Sequence, residues 1–255
     1  MQRYLFLAYG VGCYLLFLAT YACMAGFVGG LWDHSIDGPA TTTPAVAMAV
    51  NLGLIVLFGL QHSVMARPGF KRVWTRVVPR PIERSTYVLL SCVVTVVLMW
   101  QWRAMPGVVW HVTSPAGRVV LWALFATGWL MVPVVSLMIH HFDLFGVRQV
   151  WLHFKGQRYQ PLPFRTPYLY QRIRHPLYVG WALAFWATPS MTVGHLLFAA
   201  TLTLYMAAAA IIEEKDLIDA YGRQYEEYRR RVPMFFPRLS RGKASAAAQP
   251  GGMSA

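Results

Sequence analysis

The sequence predicts an all-α fold. It would be a polytopic transmembrane helical bundle of about five to six membrane segments, with a cytoplasmic cap and a C-terminal amphipathic helix. Three observations carry this expectation. Hydrophobic residues make up 56% of the 255-residue chain and charged residues only 13%, more apolar than a soluble core of this length needs. The apolar residues come in runs of roughly 20, enough for a helix to cross a hydrocarbon layer of about 30 Å. The cations behind the net charge of +13 gather between those runs, as the positive-inside rule expects. That distribution favours membrane topology over nucleic-acid binding, the other reading of so basic a chain.

Taken in order, the first span covers residues 4–31 and follows Arg3. It is too long for a signal-peptide core and has no convincing cleavage site before a polar mature start, so it reads as a retained helix. Residues 32–43 carry Asp33 and Asp37 and no Lys or Arg, so they should face outward. The second span, residues 44–66, ends in Gln61-His62-Ser63, a polar trio for the last turns of a membrane helix. Arg67, Lys71, Arg72, Arg76, Arg80 and Arg84 then stand against Glu83 alone, marking a cytoplasmic segment. The third span, residues 85–102, leads to an outer loop signalled by Pro106-Gly107 and Ser114-Pro115. Arg103 and Arg118 on that side run mildly against the charge rule.

The fourth span, residues 119–139, delivers His140-His141-Phe142-Asp143 to the cytoplasmic boundary. Residues 144–171 are basic and aromatic, and Pro161, Pro163 and Pro167 break them into an irregular cap. The next apolar region, residues 177–212, is about twice the length of one span. Thr188-Pro189-Ser190 and Gly194-His195 interrupt it, so a hairpin is expected with a short arm over 177–187 and a second over 195–212. Six segments place both termini in the cytoplasm. In the tail, Leu217, Tyr221, Tyr225, Tyr228 and Val232 recur at helical spacing, as in an amphipathic helix on the membrane surface. Residues 1–239 thus form one membrane domain, and the Ala-, Gly- and Ser-rich stretch 240–255 is expected to be disordered. Cys13, Cys23 and Cys92 lie in apolar runs without metal-type spacing and read as small buried side chains.

The polar groups at the inner ends of the spans converge on one side: Gln61 and His62, His140, His141 and Asp143, residues 172–178, and Glu213 with Glu214. Each has a bland alternative as a helix end near headgroups or a solvated ion pair. Together, ionisable groups at membrane depth suggest function. In Arg172-Ile173-Arg174-His175-Pro176-Leu177-Tyr178-Val179-Gly180, Pro176 can open a helix whose free N–H groups and dipole favour an anion. The blander reading of this stretch is a basic flank that sets topology. Hairpin geometry should bring Arg174 and His175 beside Glu213 and Glu214. Such a site offers cations for a carboxylate, carboxylates for an ammonium, and the rings of Tyr168, Tyr170, Tyr178 and Tyr221 for a flat base. S-adenosyl-L-methionine (SAM) carries all of these groups, and physics alone permits it without requiring it.

Arg174-His175-Pro176-Leu177-Tyr178-Val179-Gly180 resembles the first signature of the isoprenylcysteine carboxyl methyltransferase-like family of integral membrane methyltransferases. Glu213-Glu214, Leu217, Tyr221-Gly222, Tyr225, Tyr228, Val232-Pro233 and Phe236-Pro237 are similar to its second. The resemblance implies SAM bound between hairpin and tail by Arg174, His175, Tyr178, Glu213 and Glu214, with Tyr170, Pro176 and Leu177 adjoining. Gln61-His62-Ser63-Val64-Met65-Ala66-Arg67-Pro68 and His141-Phe142-Asp143-Leu144-Phe145-Gly146 resemble the bacterial methanethiol S-methyltransferase branch and its NnrU-like relatives. That branch implies a small-molecule thiol substrate, methanethiol, methylated to dimethyl sulfide in a bacterial inner membrane with the site facing the cytoplasm.

A thiol must lose its proton to become a good nucleophile. The expected base is His141 oriented by Asp143, or His62 from the neighbouring span, with Gln61 and Arg148 shaping the acceptor pocket. Two alternatives stand: another acceptor on the same scaffold (a lipid or prenylcysteine carboxylate), or a haem-binding or structural membrane protein with His62 and a span-four histidine on iron. No metal site, no nucleic-acid partner and no particular oligomeric state is implied.

Overall fold

A computed structural model describes residues 1–237, so the expectation for 240–255 lies outside the described residues. Among those described, five helices are long and apolar enough to cross a membrane. They are α1 (Gln2–Val28), α2 (Pro44–Ala66), α4 (Arg80–Gln101), α5 (Pro115–Ile139) and α9 (Val193–Tyr221); the short α3 (Pro68–Trp74) lies between α2 and α4. Long lipid-sized side chains such as Leu130, Leu137 and Leu204 remain exposed on them, as expected where hydrocarbon and not water is the solvent.

The five long helices stand within the expected five to six segments, and the first hairpin arm is short. It is α8 (Pro176–Trp186), 11 residues, or about 16 Å at 1.5 Å per residue, half a bilayer core. Non-helical chain follows it at residues 187–189. Ser190–Thr192 (β2) pairs antiparallel with Val108–His111 (β1) in the loop after α4. This two-stranded clasp satisfies backbone groups that a short helix leaves open. On the same face, Asp37 accepts from Thr192 Oγ1 at 2.6 Å and lies 3.0 Å from His195 Nδ1, which ties the first loop to the start of α9.

The short arm holds its place by close packing on α5. A Cβ on Gly128 would collide with the backbone nitrogen of Ala184 and lie 2.9 Å from the carbonyl of Gly180. Only glycine allows that approach, and such small-residue contacts drive association where no hydrophobic effect operates between helices. Pro133 interrupts α5, and its missing N–H leaves the Trp129 carbonyl without its helical donor. The Tyr21 hydroxyl of α1 donates to that carbonyl instead. Aromatic and aliphatic side chains including Phe27, Leu98, Trp102, Trp129, Phe185 and Phe198 fill the space between the helices.

The cap is partly ordered into α6 (His141–Leu144), α7 (Val147–Phe154) and a 3₁₀ turn at Tyr168–Gln171. The tail differs from one long amphipathic helix. α9 runs on to Tyr221, the chain turns at Gly222 with φ +55°, and α10 (Arg223–Arg231) follows. That φ is strained for any residue with a Cβ. The turn folds Tyr225 and Tyr228 onto Phe164 of the cap.

Candidate active site

The two hairpin ends meet at the basic face. Pro176 occupies the first turn of α8, where its absent N–H costs nothing. Arg174 Nε lies 2.6 Å from Glu214 Oε1 and Nη2 lies 3.3 Å from Oε2. Its Nη1 donates to the carbonyls of Arg229, at 3.0 Å, and Val232. His175 Nε2 is 3.1 Å from the same Glu214 oxygen. The backbone N–H groups of Arg174 and His175 donate to the carbonyls of Pro233 and Met234 at 2.9 and 3.1 Å. The chain after α10 therefore closes over the start of α8. Arg174 and Glu214 form an internal staple, their charges matched out of water.

Glu213 points the other way. Its side chain is about half exposed and accepts from the Tyr178 hydroxyl at 2.9 Å. The Tyr178 ring stacks on His175 at 5.3 Å, with 6° between the planes. Both rings form one wall of a cavity of about 380 Å³. The cap supplies a second wall with Tyr159, Phe164, Arg165 and Tyr170, and the corner after α5 a third with Ile139, His140, Asp143 and Leu144. Burial, and then the negative charge of Glu213, push the Tyr170 phenol up, so that phenol stays uncharged. Arg165 makes no ion pair among the described residues and is the cation on the wall with its charge unmatched.

Of the residues expected from sequence, Tyr170, Arg174, His175, Leu177, Tyr178, Glu213 and Asp143 line the cavity. Pro176 and Glu214 are buried directly behind it. Gln61, His62, His141 and Arg148 lie outside the lining. The His62 ring stacks on Phe58 and has the Tyr87 hydroxyl 2.9 to 3.0 Å from its ring nitrogens. Gln61 Nε2 faces Met65 Sδ at 3.3 Å while its Oε1 is buried without a partner. Arg148 holds Asp143 Oδ1 at 2.8 Å, and Tyr159 donates to Oδ2 at 3.2 Å. Asp143 is thus a fixed negative charge on the wall.

His141 is turned away, between α1 and α5. Its Nδ1 lies 2.7 Å from Ser136 Oγ and its Nε2 2.8 Å from the Tyr14 hydroxyl. Because Ser136 donates to the Pro133 carbonyl, the network assigns the proton to Nδ1, with Nε2 accepting from Tyr14. Burial holds this ring below the usual histidine range. Tyr168, an aromatic candidate from sequence, points to solvent. Arg165, Phe164 and Tyr159 are among the lining residues that sequence reasoning did not single out, and His140 was named with the converging polar groups but given no role of its own. His140 alone carried a signal, as the other half of a His-His pair whose orientation a sequence does not specify.

The chain is 51% identical over 242 residues to the methanethiol S-methyltransferase of Mycobacterium tuberculosis, covering 93% of this chain and 98% of that protein. It is 47% identical over 238 residues to the methanethiol S-methyltransferase of Crocosphaera subtropica, covering 93% of both. The chain belongs to the methanethiol S-methyltransferase family. Human nurim is a more distant match, 29% identical over 201 residues and 75% of this chain. No family model and no solved structure matches. The two bacterial members of the family match this chain over nearly its whole length, so the likeness is not confined to the signature segments.

Proposed function

We propose that this chain methylates methanethiol to dimethyl sulfide with SAM as methyl donor, inside the cavity between hairpin, cap and the α5–α6 corner. The observation that carries the reading is the wall itself. It joins an available carboxylate, Glu213, to an unmatched cation, Arg165, across stacked aromatic faces. An amino acid joined to a flat base requires that donor set. Glu213 would accept from the ammonium group, and Arg165 with the N–H of Leu177 at the start of α8 would receive the carboxylate. Tyr170, Tyr178 and Tyr221 offer ring faces to the base and to the cationic centre. Arg174 is already engaged by Glu214 and two carbonyls, so it serves by holding the two hairpin ends together. A cavity of about 380 Å³ falls in the range of small-molecule sites.

When bound, SAM supplies a methyl group activated by a sulfonium. The protein's share is positioning, exclusion of water by Ile139, Leu144 and Leu177, and management of the thiol proton. The basic face holding the cavity faces the cytoplasm, because the cation-rich segments at residues 67–84 and 155–174 lie on it. The test supplies methyl-labelled SAM and methanethiol to the purified protein and measures labelled dimethyl sulfide in the headspace. Labelled product at a rate above a heat-treated control is expected; label appearing instead in a lipid or prenylcysteine ester would overturn the choice of acceptor.

A further inference from the structure

We infer that His140 is the catalytic base that takes the proton from the thiol. The inference rests on the methyl-transfer reading and assigns to one residue the step which that reading leaves open. His140 sits at the end of α5 with φ 112° and ψ 55°. Among the described residues only one other non-glycine has a positive φ. A helix normally ends this way at Gly or Asn, so a β-carbon here is strained and persists only where its surroundings insist on it. The consequence is directional. The left-handed corner sends two successive histidines to opposite sides, His141 into the helices and His140 to the cavity wall.

The two rings also differ in what they touch. Both nitrogens of His141 are occupied by Ser136 and Tyr14. Neither nitrogen of His140 has a protein partner among the described residues, and its Nε2 is enclosed without one. Its Nδ1 is not enclosed in this way, and the residue shares its wall with Asp143. The other ionisable groups on the walls are Arg165, Arg174, His175 and Glu213, with the phenols of Tyr159, Tyr170, Tyr178, Tyr221, Tyr225 and Tyr228. Asp143 is held by Arg148 and Tyr159, so its carboxylate oxygens are already engaged. His175 is engaged by Glu214. Leu144, Ile139 and Leu177 provide the apolar surroundings for a one-carbon acceptor.

The step balances without another reagent. The S–H bond of methanethiol breaks, and its proton moves to Nδ1 of His140. The thiolate sulfur then forms a bond to the methyl carbon as the sulfonium carbon–sulfur bond breaks, its electron pair remaining on the departing thioether. The imidazolium returns its proton to water.

His140→Gly tests this, since glycine suits the left-handed backbone and should fold. By calorimetry the variant should bind SAM as the wild type does. At neutral pH it should turn over about 100-fold more slowly. The deficit should shrink as pH passes the thiol's own pKa, and added imidazole should restore part of the rate. Without SAM, methanethiol should develop thiolate ultraviolet absorbance on the wild type and not on His140→Gly. Turnover of His140→Gly within about threefold of wild type at neutral pH, or a deficit that neither alkali nor imidazole relieves, overturns the assignment. A wild type that makes no dimethyl sulfide overturns the parent reading instead, and the SAM-free absorbance then still decides His140.

Discussion

Glu214 Oε1 lies 2.6 Å from Arg174 Nε, with the two side chains only 5% and 10% exposed. One residue comes from the inner end of α9 and the other from the approach to α8, so a single buried ion pair closes the final hairpin. Removing one partner leaves the other charge buried and unmatched. Arg174→Ala is expected to destabilise the protein by about 3–5 kcal/mol, with loss of SAM binding as a consequence of unfolding. Thermal unfolding in detergent, run alongside the double variant with Glu214→Met, checks it. The double variant should recover part of the loss.

Glu213, one residue earlier, should behave differently because its side chain reaches the cavity. Glu213→Gln keeps the Tyr178 contact and the fold but removes the charge facing a bound ammonium. Calorimetry should find SAM affinity about 10-fold lower or worse, with an unchanged melting temperature. An unchanged affinity would remove Glu213 from the cofactor site.

Gly128→Val places a branched side chain against the backbone of Ala184, which has no freedom to yield. The variant should lose about 3 kcal/mol and lose activity with it, because α8 carries His175, Leu177 and Tyr178 into the site. Activity retained in a variant that melts like the wild type would show that α5 and α8 can separate without harm.

Tyr21→Phe removes the hydroxyl that donates to the Trp129 carbonyl freed by Pro133. A loss of about 1–3 kcal/mol is expected, measured as a lower melting temperature. Reversal in the double variant Tyr21→Phe/Pro133→Ala would identify the carbonyl as the cause, since an alanine in place of the proline restores the helical donor.

His141 gives the stability a definite acid dependence. Burial lowers its folded-state pKa, so as pH falls through the unfolded value of about 6.5 the unfolded chain takes up the proton first. Stability is full above that pH and declines below it, down to the lower folded pKa. Melting temperatures between neutral and mildly acidic pH should fall for the wild type. The fall should be shallower in His141→Gln, which does not titrate.

Much of this molecule was legible in the order of its residues. Apolar length and the placement of Arg and Lys set the five long spans, because hydrocarbon admits only helices with satisfied backbones. The hairpin pattern by itself places Arg174 beside Glu214, since both lie where the final hairpin begins and returns. The clasp of β1 with β2 was not legible. It depends on pairing between residues some 80 positions apart in strands too short to show a period.

The choice between His140 and His141 belongs to the tertiary structure alone. Two adjacent identical residues carry no difference in sequence. A left-handed turn at the end of α5, fixed by what surrounds it, points one ring at Ser136 and Tyr14 and the other at the cavity. Composition and spacing determined that polar side chains would collect at the basic ends of the helices, because burying them elsewhere in lipid is too costly. Which of them faces an open volume, and which are used up by one another, was decided by packing, where one donor or carboxylate can serve only the neighbour within its reach.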